Sequence, residues 1–314
     1  MVIFETTAEE FDALFCKDNI CYNTGAFNEL NRDKCDRLYY LLFKDKKARL
    51  GMIAGLKGKS LLCPFSAPFG GFSTNDKKLS IGHIEDAVEA LNVFCKENDI
   101  ENLSITLPPL FYDESFLTKV QHVLFQKDFS LEHLDLNYVF YLKDMMNNYI
   151  TEIIPRNGRE KLIIALSKKL RFEVGNGDQD IMEAYRIIRY NREIKDFPLR
   201  MSEKDMLQTA KLLQVDSFIV KFEEQPIASA IIYHVTNQIV QVIYWGDIPE
   251  YRSKRTMNYL SYKIFEHYYL NGFELIDVGT AMLNDKPNYS LCSFKESIGC
   301  NVQPKCTFSQ QYCK

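Results

Sequence analysis

At 314 residues, with 46% hydrophobic and 25% charged content, the chain can fill two cores under an ordinary globular surface. Its formal net charge of -4 excludes a protein that coats nucleic acid along its whole surface, so any anion site must be local. No apolar run reaches the ~18 residues of a membrane span, and the Met1-Val-Ile-Phe start has neither the basic nor the apolar region of a secretory leader, which predicts a cytoplasmic protein without membrane insertion.

Thr7-Ala-Glu-Glu10 reads as a capping box, with Phe11, Leu14 and Phe15 as the inward face of a first helix. Residues 38–43 and 49–56 read as strands joined by the Lys44-Asp-Lys-Lys47 turn, and 59–63 as a third strand. Ile84, Ala87, Val88, Leu91 and Cys95 fall at helical spacing. A strand over 102–107 ends at Pro108-Pro109, and a strand at 137–142 closes the first half. The second half repeats this order. A helix over 156–170 carries Leu162, Leu166 and Leu170 on one stripe, and helices at 179–192 and 202–213 follow. Strands at 216–222, 227–235 and 239–246 lead into a helix from about 255 to 270, buried through Leu260, Ile264, Phe265 and Tyr268 and stopped by Asn271-Gly272. A strand over 273–278 and a short helix near 290–298 complete the series. The expected fold class is α/β (α+β), in two domains, 1–150 and 151–314, each with a mixed, mostly antiparallel sheet flanked by helices.

Several motifs fail as cofactor sites. Gly58-Lys59-Ser60 lacks the first glycine of a phosphate loop (position 53 is Ile) and sits between strands, so it reads as a turn. Gly175-Asn-Gly177-Asp-Gln-Asp180 lacks the third glycine of a dinucleotide site and reads as a hairpin-like turn. There is no Gly-x-Ser-x-Gly elbow, and no histidine has a ligand partner at i+3 or i+4, so no metal is expected. The nine cysteines include no Cys-x-x-Cys pair. They read as buried thiols of a reducing compartment, Cys300, Cys306 and Cys313 among them.

Three features carry more. The loop Pro64-Phe-Ser-Ala-Pro68-Phe-Gly70-Gly71-Phe72 is either pinned to a core by its rings or one wall of a cleft between the halves. In the second reading Phe65, Phe69, Gly70 and Gly71 touch substrate. The basic residues from Arg156 to Arg171 read as a solvated helix face. Arg252, Lys254 and Arg255, ahead of a helix start at Thr256, combine free amides with guanidinium groups, which suits phosphate.

The order of strand, basic turn, helix, strand and short helix resembles the GNAT N-acyltransferases. In that family the turn reads Gln/Arg-x-x-Gly-x-Gly/Ala and binds the donor's pyrophosphate. Here Arg252 matches, and Arg255 and Met257 stand where small residues are expected. The last helix of the family reads Asn-x-x-Ala-x-x-Leu-Tyr-x-x-x-Gly. Asn288 and Gly299 match it, and Lys295 takes the slot of an acid tyrosine. Two such halves, the Pro-Phe-x-x-Pro-Phe-Gly-Gly loop and the Phe294-Lys-x-x-x-Gly299 ending resemble the FemAB-like acyltransferases, over about residues 35–300.

That resemblance implies two GNAT-like domains and transfer of an acyl or aminoacyl group to an amine of a cell-wall or surface-glycan precursor. The donor is acyl-CoA, such as acetyl-CoA, or aminoacyl-tRNA. The net charge and the lack of a coiled-coil arm do not support tRNA, and the altered turn departs from coenzyme A binding. On this reading Trp245, Gly246 and Asp247 hold the donor carbonyl through backbone amides. Arg252, Lys254, Arg255 and Thr256 bind its phosphates, and Tyr289 joins the substrate contacts. Lys295 stabilises developing negative charge, and the base for the amine is Asp277 or water, Asp277 being otherwise a helix cap or an ion-pair partner. The alternative function is a degenerate scaffold that binds a glycan or a protein without turnover.

Overall fold

Tyr39, Leu41 and Phe43 alternate with Leu38, Tyr40 and Leu42, and both sets are buried, so the strand that carries them is covered on both faces. The computed structural model describes residues 1–15, 20–76, 78–146 and 148–312. This strand lies in the first of two units, Met1–Asp135 with Gln303–Lys314. The unit opens with β1 (Val2–Glu5), α1 (Ala8–Phe15), α2 (Gly25–Leu30), β2 (Arg37–Lys44), β3 (Ala48–Lys57), β4 (Ser60–Cys63) and β5 (Phe72–Ser73). It continues through α3 (Ile81–Glu97), β6 (Asn102–Thr106) and α4 (Glu114–Gln126). The sheet runs β1-β2-β3-β4-β6, antiparallel except for the β4–β6 pair, which α3 joins. α3 buries its expected face of Ile84, Ala87, Val88, Leu91 and Cys95. On the other face Phe11 and Phe15 of α1 pack with Tyr40 and Ile53. Gly51 of β3 makes room for them, since a Cβ there would lie 2.5 Å from the Phe15 ring.

The second unit, Leu136–Val302, takes in most of β7 (Ser130–Tyr141), then α5 (Arg156–Leu166), β8 (Leu170–Val174), α6 (Asp178–Ile194) and α7 (Glu203–Leu212). β9 (Val215–Phe222), β10 (Gln225–His234) and β11 (Ile239–Asp247) form a meander. α8 (Thr256–Leu270), β12 (Leu275–Thr280), the small strands β13 (Met282–Leu283) and β14 (Lys286–Pro287), and α9 (Tyr289–Ser297) follow. The sheet order is β7-β12-β11-β10-β9-β8, and its one parallel pair, β11–β12, is joined by α8. α8 buries Leu260, Ile264, Phe265 and Tyr268, with Phe265 stacked on Phe140 of β7 at 4.1 Å. Gly272 ends the helix at φ +78°.

The last strand, β15 (Asn301–Gln311), returns to the first unit and pairs antiparallel with β6, Phe308 opposite Ile105. Each unit therefore receives its final antiparallel strand from an unexpected place. The strand expected at 137–142 to close the first half pairs instead with β12 of the second. For that reason the division falls before residue 136 and not at 150, and the C-terminus belongs to the first unit.

Other expectations change as well. α5 stops at Leu166, which is exposed, and Leu170 opens β8, because Ser167 and Lys168 turn the chain there. Leu14 is exposed, and only half of the capping box forms. Glu10 N–H donates to Thr7 Oγ1 at 3.2 Å, while the Glu10 carboxylate accepts from Thr6. Gly175–Asp180 is no hairpin turn, since Gly177, at φ +110°, stands at the start of α6. Cys300 packs in the second core and Cys306 in the first, so they form no cluster, and Cys313 lies outside the described residues. Among the described residues no helix is long and apolar enough to cross a membrane, and no three His, Cys, Asp or Glu side chains group as metal ligands.

Candidate functional site

β11 and β12 pair only from Ile239–Leu275 to Gln241–Asp277 and then part. β12 is also bulged between Asp277 and Gly279 in its register with β7. The parting opens a cleft of about 610 Å³ in the second unit. Val242, Ile243 and Trp245 to Asp247 line one side, Val278 to Thr280 the other. Asn191, Arg192, Lys195 and Phe197, at the end of α6 and beyond it, add a wall, and Asn288, Ser290, Leu291, Phe294 and Lys295 of α9 another.

Ile248 N–H donates to Ile227 C=O at 2.8 Å, and strand alternation from there turns the amides of Trp245 and Asp247 away from β10, toward the edge that β12 has left. Trp245, Gly246 and Asp247 all line the cleft at this splay. Asp247 is buried and accepts from Asn191 Nδ2 at 3.1 Å and from Thr256 Oγ1 at 3.2 Å, which ties the end of β11 to α6 and to the start of α8. Gly246 lets α6 approach, because a Cβ there would sit 3.0 Å from Asn191.

The expected basic turn is divided. Arg252 reaches the cleft, its Nε 3.6 Å from Asp247 Oδ1. Lys254 lies over the Phe222 ring at 3.5 Å instead. Arg255 is exposed, holds φ +59° ahead of α8 and does not line the cleft. Its carbonyl accepts from Asn258 and Tyr259, leaving the Thr256 and Met257 amides as the helix's open donors. Met257, not Arg255, enters the cleft where the family turn has a small residue.

Lys295 is 2% exposed, and its Nζ donates to the carbonyls of Val278 at 2.9 Å, Gly279 at 2.8 Å and Thr280 at 2.9 Å. Burial pushes it down to about 8. All three N–H bonds of the ammonium are used, so none is left to donate to a ligand in the cleft. Asp277 is fully buried and does not line the cleft. Its carboxylate accepts from Asn137 Nδ2 at 2.8 Å, Gln241 Nε2 at 2.6 Å and Gly279 N–H at 2.9 Å. Asp277 caps a strand bulge and not a helix: the side chain holds the turn of β12 that aims three carbonyls at Lys295.

The loop at 64–72 is pinned within the first unit. Phe69 is fully buried against Tyr22 and Tyr112, Gly70 and Gly71 are buried, and the Phe65 ring fills the space over Gly55. None of Phe65, Phe69, Gly70 and Gly71 lines the cleft. Tyr289, 78% exposed, stands outside it between two lining residues, Asn288 and Ser290.

Arg192 and Lys195 escaped the sequence reading. Burial lowers both from their ordinary values, offset for Lys195 by Asp247 and for Arg192 by Tyr244. Neither has a carboxylate within ion-pair distance among the described residues. The Arg192 guanidinium lies 5.9 Å from the Phe197 and Tyr244 ring centres. The signal was present, since Arg186, Arg189, Arg192 and Lys195 recur every third residue.

No protein-family model matches the chain. No curated protein matches it in sequence. Among solved structures, that of FemX matches 99% of this chain and 98% of its own with a TM-score of 0.72 at 11% identity. The C-terminal domain of a putative lysylphosphatidylglycerol synthetase from Agrobacterium fabrum matches 97% and 91% with a TM-score of 0.62 at 13% identity. L-PGS from Bacillus licheniformis matches 98% and 92% with a TM-score of 0.61 at 14% identity. The chain thus has the fold shared by FemX and the C-terminal domain of the putative lysylphosphatidylglycerol synthetase.

Proposed function

We propose that the cleft of the second unit moves an acyl or aminoacyl group from a phosphate-bearing donor to an amine. The observation that carries this reading is the set of Arg192, Lys195 and Arg252 around open strand amides, in a chain that is acidic overall. Arg192, half-buried with no carboxylate in ion-pair distance among the described residues, is unfavourable alone and favourable with a bound anion. The three cations hold the donor's phosphates, and the Trp245 and Asp247 amides receive the oxyanion as the amine attacks the carbonyl. A C–N bond forms, the C–S or C–O bond to the donor breaks, and the leaving thiolate or alkoxide takes up a proton. The sealed Asp277 is not the base, so the amine's proton passes to water or to the leaving group. Lys295 lowers the energy of the negative charge from the cleft floor.

The donor is a coenzyme A thioester or an aminoacyl-tRNA. Met257 in the turn weighs against the first, and a neighbour named for lysylphosphatidylglycerol synthesis is consistent with an aminoacyl cargo. The acceptor is a small-molecule amine or a cell-wall or glycan-precursor amine, met in the cytoplasm. A second reading, a scaffold that binds without turnover, is favoured by one observation: neither Lys295 nor Asp277 has a hydrogen-bonding atom free to serve the reaction in this geometry. Thermal-shift screening against acyl-CoAs and aminoacyl-ester analogues, with mass spectrometry of an amine panel, separates the two. An acylated amine supports the transferase, and a thermal shift with no product from any amine supports the scaffold.

A further inference from the structure

The basic run from Arg156 to Arg171 divides into two groups. Arg156 pairs with Glu160 and Arg171 with Glu173 and Glu224, so these two charges are compensated within the chain, while Arg159 donates to Thr151 C=O and keeps a buried Nε without a hydrogen-bond partner among the described residues. Lys161, Lys168 and Lys169 form no ion pair among the described residues, and the last two are exposed. Between them the chain exposes three aliphatic side chains within four residues: Ile163 at 54%, Ile164 at 39% and Leu166 at 43%. α5 is fixed in this attitude by its inner face. Leu162 and Ala165 are buried, and Gly158 packs so closely on α9 that a Cβ would lie 1.8 Å from Ser297 C=O. The outer face is therefore presented by a rigid support. Lys161 and Ile164 lie three apart on α5, and Lys168 and Lys169 follow in the turn just past its end, so lysines flank the exposed aliphatic side chains along the chain.

We propose that the C-terminal end of α5, with the Ser167–Lys169 turn, docks the protein on an anionic lipid surface. Charge complementarity selects this occupant. Uncompensated lysines on a chain of net charge -4 seek a local anionic partner, and a membrane is one that also takes up aliphatic side chains at its boundary. A nucleic-acid backbone would satisfy the lysines and leave Ile163, Ile164 and Leu166 in water. The lysine stems lie along the apolar patch while their ammonium groups reach lipid phosphates. Contact is with the surface only, because no helix among the described residues can cross a bilayer.

The test is co-sedimentation of the full chain with vesicles of phosphatidylcholine, with and without phosphatidylglycerol. Binding is expected only with phosphatidylglycerol and should be released by high salt. Removing each lysine charge should weaken binding about fivefold, so Lys168→Gln/Lys169→Gln should weaken it about 25-fold. Ile164→Ser/Leu166→Ser should weaken it several-fold, with far-UV circular dichroism and melting temperature unchanged because both side chains are exposed. Absence of binding to anionic vesicles, equal binding to neutral ones, or variants that bind like the parent would each overturn the proposal. Heparin binding that survives Ile164→Ser/Leu166→Ser, with no vesicle binding, would reassign the patch to a nucleic acid.

Discussion

Lys295 Nζ donates to the Gly279 carbonyl at 2.8 Å, across a backbone that glycine permits at φ +77°. The Asp277 carboxylate holds the Gly279 N–H from the other side, at 2.9 Å. One acid therefore shapes the bulge, the bulge orients three carbonyls, and the carbonyls position a buried cation at the floor of the cleft. The lysine of the Phe-Lys-x-x-x-Gly ending is both structural and electrostatic.

Lys295 should govern a pH limb of activity. Burial pushes it down to about 8, and the reaction needs its charge, so turnover should fall as pH rises through about 8. A lysine acting as a base would give the opposite slope. Stability gives a second reading of the same group. The folded chain holds this proton less tightly than an unfolded one, whose lysine keeps its ordinary 10.5. Between about pH 8 and 10.5 the folded chain thus binds fewer protons, and stability rises with pH across that window. The difference between about 8 and 10.5 amounts to something on the order of 3 kcal/mol. Urea denaturation of the parent and Lys295→Met at both ends of the window isolates it.

Asp277→Asn should act on stability first. The amide would turn N–H groups toward the donors of Asn137, Gln241 or Gly279, and a loss of about 2–4 kcal/mol is expected. Chemical denaturation reads this directly. A variant of parental stability with a collapsed kcat would restore Asp277 as the base.

Much of the fold was legible because burial follows period: the stripes of α3 and α8 and the β9–β11 meander all lie where their apolar spacing put them. β15 was not foreseen. It carries Pro304 and four polar residues, Gln303, Lys305, Thr307 and Ser309, and its pairing with β6 joins segments far apart in the chain. α4 was overlooked although Asp113 caps it and Leu117, Val120, Val123 and Leu124 are at helical spacing. At the site, Trp245–Asp247, Arg252 and Lys295 could be located by order along the chain. Arg192 and Lys195 depend on how α6 docks on β10 and β11, which local sequence does not encode.

Arg192→Met should leave stability unchanged or raised, because a half-buried charge without a carboxylate partner is replaced by an apolar chain of similar length. The same change should raise the KM for donor about tenfold or more. Melting temperature and donor titration together check it, since a purely structural arginine would lower the first and spare the second.

Gly158→Ala should separate α5 from α9. Its Cβ would lie 1.8 Å from Ser297 C=O, a backbone atom that cannot swing aside, and a loss of at least about 1–3 kcal/mol is expected. Gly177→Ala meets no atom within 4 Å and is affected only through its φ of +110°, so it provides the comparison in the same denaturation experiment.

Acyl transfer from an anionic donor in the second unit's cleft can be read from its product. The most direct measurement is mass-spectrometric detection of an acylated amine, formed by the full chain from acyl-CoA or aminoacyl-tRNA at sub-saturating donor. Product is predicted from the parent and from Lys254→Met, whose side chain lies on Phe222, and not from Arg192→Met/Arg252→Met. A parent that binds donor and acylates no amine, or a double variant that turns over like the parent, would contradict the account.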